Sequence, residues 1–479
     1  MTTALVVSTY ELGARPLGIT TVAGALRAAG HTVLTCDLSV EEWPEEALAR
    51  ADCLCCSVPM HTALRLGAEA ARRARAERPA LPVYFFGLYA KVAEAAGLLE
   101  PGDAAVEADE AAALVGLCDA LAGATVRAPA PPAPADHRGL PPLARYARFV
   151  TGDEERLVAT VASTTGCNHH CRHCPVPLVH RGRSQPLALA PLVEEVGLLV
   201  DEGARHVHFA DPDFLNRPRH AARVVGAIHA EHPALTFDAT VKVSHILRFG
   251  GLLGELAAAG LVTVTSAFES TSDRVLERLD KGHCAADLHR CVELLRQVGI
   301  EPRPSLLPFT PWTERRDLTE LLDFVASHDL VDNVDPVQYS IRLLLPPGSL
   351  LLGRDDATLD AALEGAAPGA IGIAWHAADP LLDELAGAIA ARVELAATAG
   401  EAQAATYGAV RALVYGALSE EDPGLPPLEV PAGPPVERRG RLDESWFCCA
   451  EPTLEQLSRL HAAEPIFLGL GIPTGHPAG

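Results

Sequence analysis

Three cysteines, Cys167, Cys171 and Cys174, share the run Thr165-Gly166-Cys167-Asn168-His169-His170-Cys171-Arg172-His173-Cys174-Pro175. Thiolates at CxxxCxxC spacing can hold three irons of a four-iron cluster and leave the fourth without a protein ligand. Chemistry needs such an open position, whereas a structural metal site is closed. Two plainer readings fit the same residues: a zinc knob completed by His169, His170 or His173, and three buried thiols holding nothing. A second group lies far along the chain, in Trp446-Phe447-Cys448-Cys449-Ala450-Glu451-Pro452. Vicinal thiols there suit three roles: binding a thiophilic atom such as arsenic(III), giving hydrogen atoms or electrons to a radical, or cycling as a disulfide. An inert buried pair is the alternative. Cys448, Cys449 and Glu451 are the catalytic candidates of this segment.

The elements that must position these groups are legible in the apolar pattern. The cysteine loop follows a strand-like stretch, Leu157–Ser163, which opens a strand–helix unit repeated six times. The expected strands continue as His206–Ala210, Leu235–Val241, Val262–Phe268, Pro302–Leu307 and Val337–Leu344. Helices are expected at Leu189–Asp201, Arg217–His232, Ile246–Ala259, Ala285–Val298 and Glu314–His328, with Gly203, Gly260 and Gly299 after three of them as C-terminal caps. Six such units form a partial parallel barrel with its chemistry at the C-terminal strand ends. The polar residues at those ends are Asp211 and Asp213, Lys242 and Ser244, Glu269 and Ser270, and, of one parity on strand six, Gln338 and Arg342. Asp213 equally suits a helix cap; Glu269 suits a surface ion pair. An Arg inside a barrel requires an anionic partner.

Ahead of the barrel, Ala4–Ser8, His31–Cys36, Ala51–Ser57 and Leu81–Phe86 read as buried strands, with a helix at Gly18–Ala29. This predicts a doubly wound parallel sheet whose ligand edge is lined by the loops after Ser8, Cys36, Ser57 and Phe86. Cys53, Cys55 and Cys56 read as packing within an apolar strand. The Pro-Ala run from Ala128 to Ala135 is a semi-rigid linker. The expected organisation is 1–127, an α/β domain; 128–150, a linker; 151–350, the barrel; 351–420, an Ala-rich helical region; and 421–479, a Pro/Gly-rich link with the cysteine tail. That link, roughly 20 residues, extends to about 60 Å at ~3.1 Å per residue, enough to carry the pair to the barrel mouth. Trp446 and Phe447 are expected to dock the tail.

Bulk properties bound the function. The chain has 479 residues, is 48% apolar and carries a formal charge of −23, which argues against nucleic acid or an anionic membrane surface as the main partner. No signal-like or membrane-spanning run is evident, and twelve cysteines suit a reducing cytoplasm with metal or redox roles.

The cysteine spacing, its position after strand one and the following β/α repeats resemble the radical S-adenosylmethionine superfamily, although its loop often has an aromatic residue where His173 stands. The resemblance implies a [4Fe-4S] cluster and S-adenosylmethionine, whose amino and carboxylate groups would chelate the open iron before reductive cleavage, usually to a 5′-deoxyadenosyl radical. It places Asp211 and Asp213 near the cofactor's methionine part. It offers a cofactor or substrate carboxylate as the partner of Arg342. Glu269-Ser270 with Leu279-Asp280-Lys281-Gly282 resembles the Glu-Ser…Asn-Lys-Gly pattern of cobalamin-associated members. The first domain is similar to their cobalamin-binding domain, without its DxHxxG motif. Members exist that bind cobalamin without that motif, so the cofactor and a bare scaffold both stand. Cys448-Cys449-Ala450-Glu451-Pro452 resembles the CUAEP/CCAEP-tail group, in which selenocysteine stands at the position of Cys449. The implied activity is transfer of a methyl or other S-adenosylmethionine-derived group to a small molecule, with a metalloid held by the tail as one candidate. A reductase, flavodoxin or ferredoxin would be the electron donor. The rival reading is a non-catalytic iron–sulfur or zinc sensor.

Overall fold

The computed structural model describes residues 1–107, 109–124, 135–152, 154–364, 371–419, 440–444 and 449–460. The Pro-rich linker up to 134, the link 420–439, and Trp446, Phe447 and Cys448 lie outside them.

The first sheet comprises β1 (Thr3–Ser8), β2 (Thr32–Asp37), β3 (Cys53–Ser57), β4 (Val83–Phe86) and β5 (Ala104–Val106), parallel throughout in the order β2-β1-β3-β4-β5. Its central strands are continuous apolar runs because helices cover both faces, leaving a separate buried cluster on each side. Strand order reverses between β1 and β3, which puts a ligand crevice at their carboxyl ends. The short Ala-Ala-Val of β5 had no distinctive pattern in the sequence.

The second sheet holds β6 (Arg148–Thr151), β7 (Glu154–Val161), β10 (His206–Phe209), β11 (Thr236–Thr240), β12 (Leu261–Glu269), β13 (Glu301–Leu306) and β14 (Arg441–Leu442), while β8 (Thr164–Gly166) and β9 (Ser184–Pro186) form a separate antiparallel pair. β7, β10, β11, β12 and β13 run parallel with helices between them. β6 and β14 extend the β7 edge in antiparallel fashion.

The expected sixth strand, Val337–Leu344, does not form. Pro336–Ser340 winds as a 3-10 helix with Pro336 in its first turn, and only one bridge, Phe309 to Arg342, continues the sheet. Proline presets the helical φ and lacks a ladder donor, so Asp335-Pro336 turns the chain where the apolar pattern alone suggested extension. The expected helix Ile246–Ala259 divides at Phe249 into Val243–Arg248 and Gly250–Ala258.

Helices Ala357–Leu363, Pro380–Ala399 and Gln403–Ser419 pack on the barrel. Tyr407 donates to the Leu322 carbonyl at 2.8 Å, and Tyr415 donates to Asp323. The two modules meet where Arg15 pairs with Glu202 and the Ala147 amide donates to the Gly13 carbonyl. Among the described residues no helix is long and apolar enough to cross a membrane.

Candidate active site at the mouth of the partial barrel

The β8–β9 pair closes the base of the cysteine loop. Gly166, at φ +72°, must be glycine there: a Cβ would lie 2.2 Å from the Arg183 carbonyl oxygen. Asn168 and Asn216 clamp the loop to the turn after β10. The Asn168 amide donates to Asn216 Oδ1 at 3.1 Å, Asn168 Nδ2 donates to the Asn216 carbonyl at 3.2 Å, and the Ser184 amide returns to Asn168 Oδ1 at 2.9 Å. The Arg172 amide ties the far side to the Leu279 carbonyl. Cys167 and Cys171 are buried and Cys174 half-buried. Burial pushes the Cys174 thiol up to about 12 and raises Cys167 too, so these sulfurs become thiolates readily only with a metal to replace the proton.

Positive charge converges on them. Lys242 Nζ lies 3.5 Å from Cys171 Sγ, from the end of β11. Lys281, 3% exposed, donates to Glu269 Oε1 at 2.9 Å, and His173 Nε2 lies 3.1 Å from the same oxygen. Burial alone would raise the Glu269 carboxyl, but Lys281 and His173 outweigh it and hold it well below the usual range. Burial would lower the Lys281 ammonium, and Glu269 with the Cys171 and Cys174 sulfurs reverses that. Glu269 ends β12 at a register shift with φ +62°, a left-handed conformation that aims its side chain back at the loop. Ser270, beside it, accepts from the Ser272 amide.

The aspartates have different duties. Asp211, 2% exposed, accepts from the Ser163 amide and from the Ser163 and Thr164 hydroxyls, fastening β8 to the end of β10. Asp213 accepts from the Leu215 amide as a cap, and its Oδ2 lies 2.9 Å from His169 Nε2 and 2.7 Å from His245 Nδ1. Burial pushes its carboxyl up, yet the two imidazoles bring it down to about 2. Ser244 is half-buried in the first turn of the helix after β11.

Two expected site residues are committed elsewhere. Gln338 accepts from the Leu306 amide at 3.0 Å, substituting for a missing ladder bond. Arg342 pairs with Asp383 at 2.7 Å and lies 4.1 Å from the Trp375 ring centroid. The anion it needs thus comes from the helical region, because the lost sixth strand turned it away from the mouth. Glu451 is also engaged: Oε1 lies 2.9 Å from His61 Nε2 and Oε2 2.9 Å from Arg65 Nε. Cys449 is half-buried against the barrel core. Sequence reasoning missed Asn216, His245 and the cationic role of Lys281. Asn216 closes the Asp-Pro-Asp-Phe-Leu-Asn turn and Lys281 stands in the quoted Leu-Asp-Lys-Gly run, so only their partners were hidden.

The donor set fits a polynuclear cluster. Among the described residues the one His/Cys/Asp/Glu group whose ligand atoms all fall within 4.8 Å of one another is His169–Asp213–His245. The three sulfurs therefore lack the close convergence that a single tetrahedral zinc demands. Two ammonium groups beside three sulfurs suit a ligand of net negative charge, and Asn216 Nδ2 is buried with no partner among the described residues, a spare donor next to Cys167.

Comparison with known proteins agrees. Residues 161–325 match the radical SAM superfamily. The chain is similar to the tRNA-2-methylthio-N(6)-dimethylallyladenosine synthase of Sulfurihydrogenibium sp. (strain YO3AOP1), 25% identical over 225 residues, covering 42% of this chain and 48% of that one. It also resembles the ribosomal protein uS12 methylthiotransferase RimO of Desulfosudis oleivorans, at 27% over 195 residues, 36% of this chain and 42% of that one. It spans about half the length of these curated relatives or less. Among solved structures, the cobalamin-dependent S-adenosylmethionine radical enzyme OxsB with aqua-cobalamin bound superposes at TM-score 0.64 with 14% identity, over 81% of this chain and 66% of that one. The radical S-adenosylmethionine methyltransferase TsrM of Kitasatospora setae, with cobalamin and a [4Fe-4S] cluster bound, gives 0.57 with 18% identity, over 76% and 78%. At these identities the likeness is one of fold. It covers both modules, a parallel α/β sheet followed by a curled partial barrel. The chain carries the domain of radical SAM enzymes, a superfamily that works with a [4Fe-4S] cluster and S-adenosylmethionine.

Proposed function

We propose that this chain is a cytoplasmic radical S-adenosylmethionine enzyme that transfers a methyl or other S-adenosylmethionine-derived group to a small molecule. The observation that carries the reading is the cysteine loop, with two buried sulfurs, a third half-buried and two ammonium groups at the C-terminal mouth of the partial barrel. A [4Fe-4S] cluster with one open iron supplies, when bound, the electron that cleaves a sulfur–carbon bond of S-adenosylmethionine. Cys167, Cys171 and Cys174 would hold it. Lys242 and Lys281 offset its negative charge, and Glu269 fixes His173 and Lys281 around it. Asp211 and Asp213 shape the turn that receives the methionine part, with Ser244 and Ser270 at the same rim.

Cobalamin is the proposed second cofactor. Two neighbours in fold have it bound in their solved structures, and among the described residues the Ser8 hydroxyl is buried without a partner at the ligand edge of the first sheet. His61, at the head of the helix beside that edge, is taken by Glu451, so the fit is to a corrin bound without that imidazole. The curated relatives are named for tRNA and a ribosomal protein, yet a charge of −23 favours a small substrate over nucleic acid. Cys449, with Cys448, would hold a thiophilic substrate such as a metalloid or serve its radical. Flavodoxin, ferredoxin or a dedicated reductase would deliver the electron.

The test is anaerobic reconstitution followed by reduction with S-adenosylmethionine. The proposal expects 5′-deoxyadenosine, S-adenosylhomocysteine or another cleavage product; absence of all of them refutes it. Protein purified with hydroxocobalamin should stay coloured after desalting, and a colourless product refutes the second cofactor. Cys449→Ser should abolish product formation at unchanged iron content.

A further inference from the structure

Residues 449–460 cross between the two modules. Ala450, 8% exposed, sits in the barrel core with Cys449 packed against the same cluster, while Leu460 and the half-buried Leu457 join the core of the N-terminal module. The contacts that set this crossing converge on one helix, His61–Glu77. Its first turn and a half gives three of them: His61 and Arg65 take one oxygen each of the Glu451 carboxylate at 2.9 Å, and the Thr62 hydroxyl donates to the Ala450 carbonyl at 2.7 Å. Further along that helix, Arg73 donates to the Leu460 carbonyl at 3.2 Å; away from it, Arg459 donates to the Ser39 carbonyl in the turn after β2.

We infer that the helix His61–Glu77 is a receptor for the tail, and that His61, Thr62 and Arg65 are positioning residues that hold Cys449 at the junction of the modules. The inference rests on the proposed role of Cys449 and reassigns Glu451 from chemistry to anchorage. Three physical points support it. His61 and Arg65 are four residues apart and share a helix face, so one carboxylate spans both. They stand at the positive end of a 17-residue helix, where an anion is favoured. The tail segment is short, and apolar burial at Ala450 and Leu460 is not directional, so directed polar contacts set its register. A slip of one residue in an extended segment moves every group by about 3.3 Å, enough to take a thiol out of bonding distance. The N-terminal module thereby acquires a task beyond any cofactor at its sheet edge: it fixes where the tail sulfur stands.

The experiment reads the sulfur directly. Full-length, cluster-loaded protein is treated anaerobically with iodoacetamide, and the rate of carbamidomethylation at Cys449 is followed by peptide mass spectrometry alongside product formation. Arg65→Glu should raise the labelling rate about fivefold, the factor for one lost, partly exposed charge pair, and depress product formation at unchanged iron content. The swap Arg65→Glu/Glu451→Arg should restore both. His61→Ala should behave like Arg65→Glu, and His61→Gln, which keeps a donor, should retain most of the wild-type protection. Unchanged labelling in Arg65→Glu, or a swap no better than the single variants, overturns the receptor. Full turnover by Cys449→Ser would instead overturn the catalytic role of the thiol, a result independent of the labelling rates.

Discussion

Replacing Lys281 by Met tests the electrostatic frame of the site. Lys281 Nζ lies 2.9 Å from Glu269 Oε1, and the two side chains are 4% and 9% exposed. At an effective dielectric of ~20 the gross attraction at that distance is about 6 kcal/mol, largely offset by desolvation of both ions. Removing only the lysine leaves a buried carboxylate, which typically costs about 3–5 kcal/mol. His173, 3.1 Å from the same oxygen, remains a partner and places the expectation at the lower end, about 3 kcal/mol. For a module of this size that lowers Tm by roughly 6–12 °C. The assay is thermal unfolding of metal-free protein followed by circular dichroism. The variant Lys281→Met/Glu269→Gln, with both charges gone, should recover most of the loss, because a neutral pair leaves no stranded ion. A loss under about 3 °C for the single substitution, or a double variant no more stable than the single, refutes the claim that Lys281 compensates Glu269.

Other expectations follow from the same geometry. Each of Cys167→Ser, Cys171→Ser and Cys174→Ser should cut iron well below about four per chain after reconstitution and abolish S-adenosylmethionine cleavage; retained iron in all three contradicts the cluster. Arg342→Ala should lower stability by about 1 kcal/mol, roughly 2–4 °C in Tm, through loss of a partly exposed ion pair with Asp383, with S-adenosylmethionine affinity unchanged by calorimetry; a tenfold affinity loss would return Arg342 to the site. Burial, with Asp37 nearby, raises the Glu11 carboxyl from 4.5 to about 8. The folded state thus holds a proton that the unfolded chain releases, so stability falls as pH rises from about 4.5 to 8, by at most about 1.4 kcal/mol per unit. Glu11→Gln should flatten that decline in urea titrations, and an unchanged slope counts against it.

Much of this was legible in the chain because β/α repeats advertise themselves. The strand at His206 and the helix Leu189–Asp201 fall where their apolar runs place them. What escaped was set by partners remote in sequence. β6 and β14 are short and pair with each other across the chain, so neither has a local signature. Arg342 read as a barrel residue because parity assumed a strand that Pro336 prevents. Glu451 read as chemistry because nothing local reveals that His61, 390 positions away, receives it. Cys448 lies outside the described residues.

The antiparallel pairing of β14 with β6 also bears on how the protein is made. The Arg148 amide donates to Asp443, 295 residues later in the chain. While synthesis proceeds, β6 is therefore an open edge at the flank of an otherwise folded sheet, able to recruit strands from other chains. The segment that delivers Cys449 is the one that covers it. Nascent or truncated chains lacking residues 441–460 should consequently be caught by aggregation or proteolysis before they accumulate, so that the pool of persisting molecules is enriched in those that carry the tail thiol.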